Sequence, residues 1–431
     1  MIEYVGLLVI LIALITCGMP VGFASGIVTY LGAAIYFGDL FDPRAATMIA
    51  RLAIDKMDDF LLLSIPFFIL AGRLMNTGGI TERLFSFVAV ATRPLPGGHA
   101  HANVLASLFF AGMSGSATAD ALSLGRIEMR AMLAHGYKRE FAAGITAASS
   151  LLSPVIPPSI ALVAYAVQAE VSVAAMFFAA IVPGLLMTAG FMAYVAWQAW
   201  RQDFPAGAVA GPRELWAAFR PAALSMLTPV IIIGGIYLGV FTPTEAAAVA
   251  AAYAMLLGGL YYREFGARRL LEEIRGTMID SAVVMLIVAF TSALGVVLIR
   301  AELPTELAEA LAGLTQDPYV LMILMVILWA IVGCFMAQTP AILVLAPILV
   351  PIAQSYGIDL VYFGVVMTIA LTVGLLTPPV GMVLYAMVRV AELPFPTLVR
   401  ISTPYVILTF GIVFVLVALP ELSLFLPRLL M

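Results

Sequence analysis

Charge is scarce in this 431-residue chain. Only 11% of residues are Asp, Glu, Lys or Arg, 63% are hydrophobic, and the mean hydropathy is +1.09. A soluble chain of this length needs far more charge to cover its surface, so a soluble globular fold is excluded. Cysteine is nearly absent: Cys17 and Cys334 support neither a disulfide framework nor a metal site. His99, His101 and His135 are too few and too close to polar loops for a metal cluster. Neither a Ser–His pairing nor an HExxH motif occurs, which argues against an intramembrane enzyme. Leu14–Cys17 faintly resembles a lipoprotein cleavage site, but only Glu3 and no basic residue precedes it, so the first helix is expected to be retained. Alternating polar and apolar positions are also missing, which excludes barrel strands. In their place stand continuous apolar runs such as Val320–Val332 and Val406–Leu419. About 20 apolar residues cross a bilayer as a helix. The expectation is an all-α polytopic membrane protein whose solvent is lipid, with no nucleic-acid partner.

The chain repeats itself. GMSGSATADA starts at Gly112 and GCFMAQTPAI at Gly333, 221 residues later. The Pro-Pro pairs of SPVIPPS (157–158) and LLTPPVG (378–379) are also 221 apart, as are Asp59 and Asp280, each of which opens an apolar run. Pro20 in GMPVG and Pro243 in FTPTE precede their glycines by 92 and 90 residues. Four matches in one order predict two related halves, 1–200 and 221–431, joined by a linker at 201–220. Half one is read as spans at 3–18 and 20–38, a polar surface segment at 39–58, a span at 59–77 and an arm at 80–93. Helix 100–112, a tip at 112–120 and helix 121–134 follow, then a span broken at 153–159 and a last span at 173–199. Half two is read as spans at 222–239 and 244–262, a charged segment at 263–276, a span at 277–299 and an arm at 303–314. Helix 318–332, a tip at 333–341 and helix 341–354 follow, then a span broken at 374–381 and a last span at 397–419.

The short helices flanking each tip describe re-entrant hairpins. Non-helical backbone at membrane depth is tolerated only where protein or a watery cavity surrounds it. Each half has five crossings, an odd number, so the halves are expected to be inverted. Placing Arg126, Arg130, Lys138 and Arg139 in the cytoplasm brings Arg201, Arg213, Arg220, Arg263, Arg268, Arg269, Arg275, Arg389 and Arg400 inside as well. Arg44, Arg51, Lys56, Arg300 and Arg428 then lie outside, with both termini.

Inverted halves with broken helices and midplane hairpins describe a secondary transporter. Proline removes a donor and blocks the carbonyl four residues back. The two proline pairs are therefore expected to leave carbonyls at 153–156 and 374–377 without helical partners, and a desolvated Na⁺ wants such oxygens. Ser114, Ser116, Thr118, Ser153 and Ser159 offer hydroxyls in half one; Thr339, Thr372 and Thr377 offer them in half two. Helix N-termini after each tip attract a carboxylate. Small polar residues can equally line packing seams, but four paired irregular segments favour binding. Asp120 and Glu245, at helix starts, are read first as caps, with coupling-ion balance the alternative for Asp120. Arg73, in an apolar run, is expected to snorkel towards the cytoplasmic surface, a counter-ion role being the alternative.

GGITERL (78–84), FFAGMSGSATADALSLG (109–125), GYKREFAAGITAASSLLSPVIPPSIALVAYA (136–166), FTPTEAAAVAA (241–251) and LLTPPVGMVLY (375–385) resemble the large membrane subunit of TRAP transporters, the DctM family. The match covers essentially the whole chain. One position departs from the family pattern: Arg130 stands where a proline is usual. The resemblance implies an elevator-type carrier of the bacterial inner membrane that moves an organic acid inward with Na⁺. The solute, such as a C4-dicarboxylate, a sialic acid, a keto acid or a sulfonate, comes from a periplasmic solute-binding protein (DctP-type). A small four-helix membrane subunit (DctQ-type) braces the large one. Hairpins and broken spans form the moving block; spans 3–38, 173–199, 222–262 and 397–419 form the scaffold, and the arms hinge between them. The implied substrate contacts are Ser114, Gly115, Ser116, Thr118, Pro158, Ser159, Gln338, Thr339 and Pro379. The implied Na⁺ contacts are Gly112, Ser116, Ser153, Ile156 and Pro157, with Gly333, Thr339, Thr372, Gly374 and Thr377 in half two. The alternative is a stand-alone ion-coupled anion symporter or exporter of related fold.

Overall fold

In chain order the helices are α1 (Ile2–Thr16), α2 (Val21–Phe37), α3 (Pro43–Met57), α4 (Ser64–Thr77, entered through a 3-10 turn at Phe60–Leu63), α5 (Ile80–Thr92), α6 (Gly98–Ser114), α7 (Ala117–Leu122), α8 (Leu124–Ala134), α9 (Arg139–Ser150), α10 (Ile160–Ala169) and α11 (Val173–Arg201). After a connection come α12 (Pro212–Tyr237), α13 (Pro243–Met255, prolonged by a π-helical turn at Leu256–Tyr261), α14 (Ala267–Arg300), α15 (Leu303–Ala312), α16 (Pro318–Gly333), α17 (Gln338–Ser355), α18 (Leu360–Gly374), α19 (Met382–Ala391), α20 (Phe395–Ala418) and α21 (Glu421–Leu430). This computed structural model describes residues 2–39, 41–204 and 206–431, with residues 2, 3, 5, 113 and 114 described by their backbone only. The chain is 80% helical with no strand among the described residues, and seven helices are long and apolar enough to cross a bilayer. It is an all-α polytopic membrane protein.

Proline sets many of the starts. α3, α12, α13 and α16 each begin on one, where the missing N–H would have had no helical partner anyway. α13 adds a capping box. The Thr242 N–H donates to Glu245 Oε2 at 2.8 Å and the Glu245 N–H donates to Thr242 Oγ1 at 3.3 Å. Thr242 is therefore the N-cap, and Glu245 completes the cap from N3. Glu245→Ala is expected to cost about 1 kcal/mol, read as a lower thermal midpoint in detergent. An unchanged midpoint would show that the Thr242 cap and packing hold this helix start without the Glu245 carboxylate.

Four boundaries differ from the sequence expectation. The charged segment 263–276 is not separate from its span: α14 runs unbroken for 34 residues. No proline interrupts it, and Arg268–Glu272 and Arg269–Glu273 ion pairs one turn apart support its first turns. At 1.5 Å per residue it is about 51 Å long, well beyond the roughly 30 Å hydrocarbon layer. α11 runs to Arg201 and α12 begins at Pro212, so ten residues of the expected linker are helical. The polar segment after α2 contains the amphipathic α3, and α21 follows the last expected span. The helix after the first tip starts at Ala117 rather than 121 and breaks at Ser123. α8 continues through exposed Arg130, so the missing family proline leaves the helix intact.

Packing repeats along the chain. α6 packs on α9 as α16 packs on α18; α7 packs on α19 as α17 packs on α10; α2 packs on α14 as α13 packs on α4. The hairpin elements of one half thus meet the broken helices of both, and tertiary packing rather than helix propensity holds these 6- to 18-residue pieces.

Candidate functional site

Both tips are seated against helix breaks by close backbone approach. In half one the turn at Gly115 takes a φ of 65°, where a side chain would be strained. A methyl on Gly115 would meet the Ile160 N at 3.2 Å, and one on Gly112 would meet the Pro157 carbonyl oxygen at 3.2 Å. Ser116 then caps α7, accepting the Ala119 N–H at 3.4 Å. In half two Gly333 and Gly374 touch backbone to backbone, and the Val380 and Gly381 N–H groups donate to the Cys334 carbonyl at 3.2 and 3.3 Å. Small residues allow such approach between helices in a membrane. Both Pro-Pro bonds, 157–158 and 378–379, are cis.

The tips converge on one cleft of ≈ 550 Å³. Gly115, Ser116 and Thr118 line it from the first tip and Gln338 and Thr339 from the second. Gln338 is locked from behind, its Nε2 donating to the Thr368 carbonyl at 2.7 Å. The cleft therefore assembles five of the residues expected to contact substrate. Pro158 and Ser159 are buried behind the tip and Pro379 is exposed, all outside the lining. The Ser114 side chain lies outside the described atoms.

Of the residues expected to hold cations, Ser116 and Thr339 line the cleft, and the others lie behind the tips. Gly112 faces Pro157, and Gly333 faces Gly374 and the Leu371 carbonyl, one contact in each half. Ser153 is buried and Ile156 partly so. The Thr372 hydroxyl donates to the Thr368 carbonyl at 2.7 Å and the Thr377 hydroxyl to the Val373 carbonyl at 3.0 Å, leaving hydroxyl lone pairs for a cation. Two of the carbonyls expected to lack partners have them. The Gly374 oxygen accepts the Thr377 N–H at 3.0 Å, and the Pro154 oxygen accepts the Ser159 hydroxyl at 2.6 Å. Tight turns and a nearby hydroxyl replace the bonds that proline removes. Asp120 is no N-cap, since Ser116 holds that position, and it is buried beside Glu128.

On the opposite wall of the cleft only Arg73 stands out in the sequence, where a counter-ion role is the alternative. α4 supplies Arg73, Asn76 and Thr77; α14 supplies Arg269, Glu273 and Asp280. Arg73 does not snorkel to a free surface. Its Nε and Nη2 donate to Asp280 Oδ2 at 3.1 and 2.7 Å, and its Nη1 donates to Glu273 Oε2 at 3.2 Å. Glu273 also accepts the Thr77 hydroxyl at 2.9 Å and pairs with Arg269 at 3.1 Å. These contacts join positions about 200 residues apart, which no periodicity shows. The available signals were an isolated arginine in an apolar run, and Glu273 and Asp280 two turns apart on one helix face.

Comparison with known proteins agrees with this architecture. Residues 8–422 match the model of the tripartite ATP-independent periplasmic transporter, DctM component. The chain is 40% identical to the sialic acid TRAP transporter large permease protein SiaM of Vibrio cholerae, covering 97% of both chains. It is 37% identical to the 2,3-diketo-L-gulonate TRAP transporter large permease protein YiaN of Escherichia coli, covering 95% of both. It is 36% identical to the C4-dicarboxylate TRAP transporter large permease protein DctM of Pseudomonas aeruginosa, covering 90% of this chain and 91% of that one. Among solved structures the YdaH transporter of Alcanivorax borkumensis shares the fold, with a TM-score of 0.61 at 18% identity over 88% of this chain and 89% of that one. The chain belongs to the DctM family of tripartite ATP-independent periplasmic transporters, as a large permease subunit and not an enzyme.

Proposed function

We propose that this permease carries an organic acid inward across the bacterial inner membrane, driven by Na⁺. A periplasmic binding protein delivers the solute and a small four-helix subunit braces the permease. The observation that supports this best is the convergence of tip residues from both halves on a single cleft. Ser116, Thr118 and Thr339 offer hydroxyls there, and the N-terminal N–H groups of α17 start at the same place. That combination suits a carboxylate beside a cation. Na⁺ is cargo in this reading. Hydroxyls and carbonyls around Gly112–Pro157 and around Gly333–Gly374 are the hard oxygen donors it requires.

The transport step follows from the rigidity of the joints. Each tip is tied to its neighbouring break, so tips and broken helices move as one body. The paired packing of the two halves supports inverted repeats, with the body sliding past a scaffold in an elevator motion. Cation binding behind a tip fixes the hydroxyls that face the solute, which couples the two. On the charge rule for loops, Arg269 marks the cytoplasmic end of α14, so the cleft opens inward.

The test is uptake into proteoliposomes holding the permease with its small subunit, under an inward Na⁺ gradient. Sialic acid, 2,3-diketogulonate and succinate are each offered with and without the binding protein. Uptake of one of them that needs both Na⁺ and the binding protein is expected. Vigorous uptake by this chain alone would favour a stand-alone symporter and refute the tripartite reading.

A further inference from the structure

We propose that Arg73 is the residue that receives the anionic group of the solute on the α4–α14 wall of the cleft, a role that rests on the transport reading above. α14 is shaped for this guanidinium. Glu273, Gly276 and Asp280 fall at positions i, i+3 and i+7, on one helix face. Arg73 lies flat on Gly276: a methyl there would stand 2.7 Å from Cζ and closer still to Nη1. Any side chain at 276 would lift the guanidinium off the helix. The acids on either side then fix its rotation.

The donor count shows what this fixation leaves over. A guanidinium has five N–H groups in a planar fork. Asp280 Oδ2 takes Nε–H and one proton of Nη2, along one edge. Glu273 takes one proton of Nη1. One N–H on each terminal nitrogen remains, two charge-assisted donors for the oxygens of a carboxylate. Arg73 is 35% exposed and lines the cleft with Asn76, facing the same space as Ser116 and Thr339. A helix–helix clamp alone would have no use for an arginine that keeps two N–H groups unspent in a cleft.

The two acids differ in a way that gives the site a release step. Glu273 is buried, 9% exposed, and held by Thr77 and Arg269 as well. Asp280 is 50% exposed, with Arg73 as its cation. An incoming carboxylate adds negative charge beside Asp280, which can swing into water, whereas Glu273 stays and keeps Arg73 aimed. When the solute leaves, Asp280 returns and the guanidinium is never left bare in a low-dielectric site. Arg73 is thus a binding residue, and Glu273 and Gly276 are positioning residues.

The experiment uses the reconstituted permease and small subunit with the binding protein and whichever of sialic acid, 2,3-diketogulonate or succinate is carried. Arg73→Lys keeps the charge and loses the fork. It is expected to raise the KM for the solute about tenfold or more, the loss of one charge-assisted pair, with the half-saturating Na⁺ concentration unchanged. Asp280→Asn removes the competing carboxylate and is expected to lower that KM severalfold. The carried acid should outcompete its carboxamide on wild type, and that advantage should shrink on Arg73→Lys. Should Arg73→Lys transport with wild-type KM while Ser116→Ala is impaired, the proposal is overturned and the transport reading stands. If wild type shows no Na⁺-dependent uptake of any of the three acids, the transport reading fails instead. A fall in both affinities together with a lower thermal midpoint would assign Arg73 a structural role and likewise overturn the proposal.

Discussion

Gly374→Ala is expected to abolish Na⁺-dependent uptake and to leave little folded protein. The new methyl would stand on the Gly333 backbone, overlapping its Cα and carbonyl carbon and lying 2.6 Å from the Cys334 N. All three are main-chain atoms of the second tip, so no rotamer change relieves the clash. The tip cannot back away, because its Cys334 carbonyl accepts the Val380 and Gly381 N–H groups. Overpacking of a well-filled interior costs about 1–3 kcal/mol where side chains can yield. Here about 3 kcal/mol or more is expected. The comparison is Gly112→Ala in half one, whose methyl meets the Pro157 oxygen at 3.2 Å and needs a shift of only a few tenths of an ångström. Size-exclusion yield and thermal midpoint in detergent, followed by uptake, should rank the variants with Gly374→Ala far below Gly112→Ala. Equal behaviour would mean that the two halves are not joined as described.

The second large effect is expected from removing one hydroxyl on each tip. Ser116→Ala and Thr339→Ala should each weaken the cation site of its own half about tenfold, and the double variant should lower the combined two-site binding constant about a hundredfold, if each hydroxyl is a ligand worth near 1.4 kcal/mol. The residues lie on different tips, so their effects should add approximately. Ser116 also caps α7, and loss of a cap costs about 1 kcal/mol by itself. Ser116→Asn restores a capping side chain and separates the two roles: recovered stability with Na⁺ affinity still weak is the expected pattern. Two silent single variants would overturn the placing of the cation contacts at these tips.

Much of this was readable from the sequence, for reasons that particular residues make clear. Local geometry leaves local marks. Pro157–Pro158 and Pro378–Pro379 stop helices wherever they occur, and the 221-residue offset placed both breaks and both tips. Thr242-Pro-Thr-Glu245 is a capping box by its residues alone. Helix extends further into the polar segments than their composition suggests. α7 starts at Ala117 because Ser116 turns from loop residue into cap, and α14 absorbs Arg268–Arg275 because helical ion pairs suit charged residues as well as loops do. What stayed out of sight was contact between distant segments. Nothing local at Arg73 names Asp280, 207 positions on, as its partner. Nor do the two proline pairs announce that Pro158 is buried and Pro379 exposed. Tertiary placement, not repeat position, decides which copy of a duplicated residue reaches the cleft.

The carbonyl that joins the second tip to its break belongs to Cys334, and that thiol is buried while Cys17 is exposed. Replacing Cys17 by serine therefore yields a permease with one sulfhydryl, seated at the joint itself. Its rate of alkylation by a small maleimide then acts as a clock for how often tip and break part. Slowing of that clock by Na⁺ would time the same joint that Gly374→Ala is designed to break.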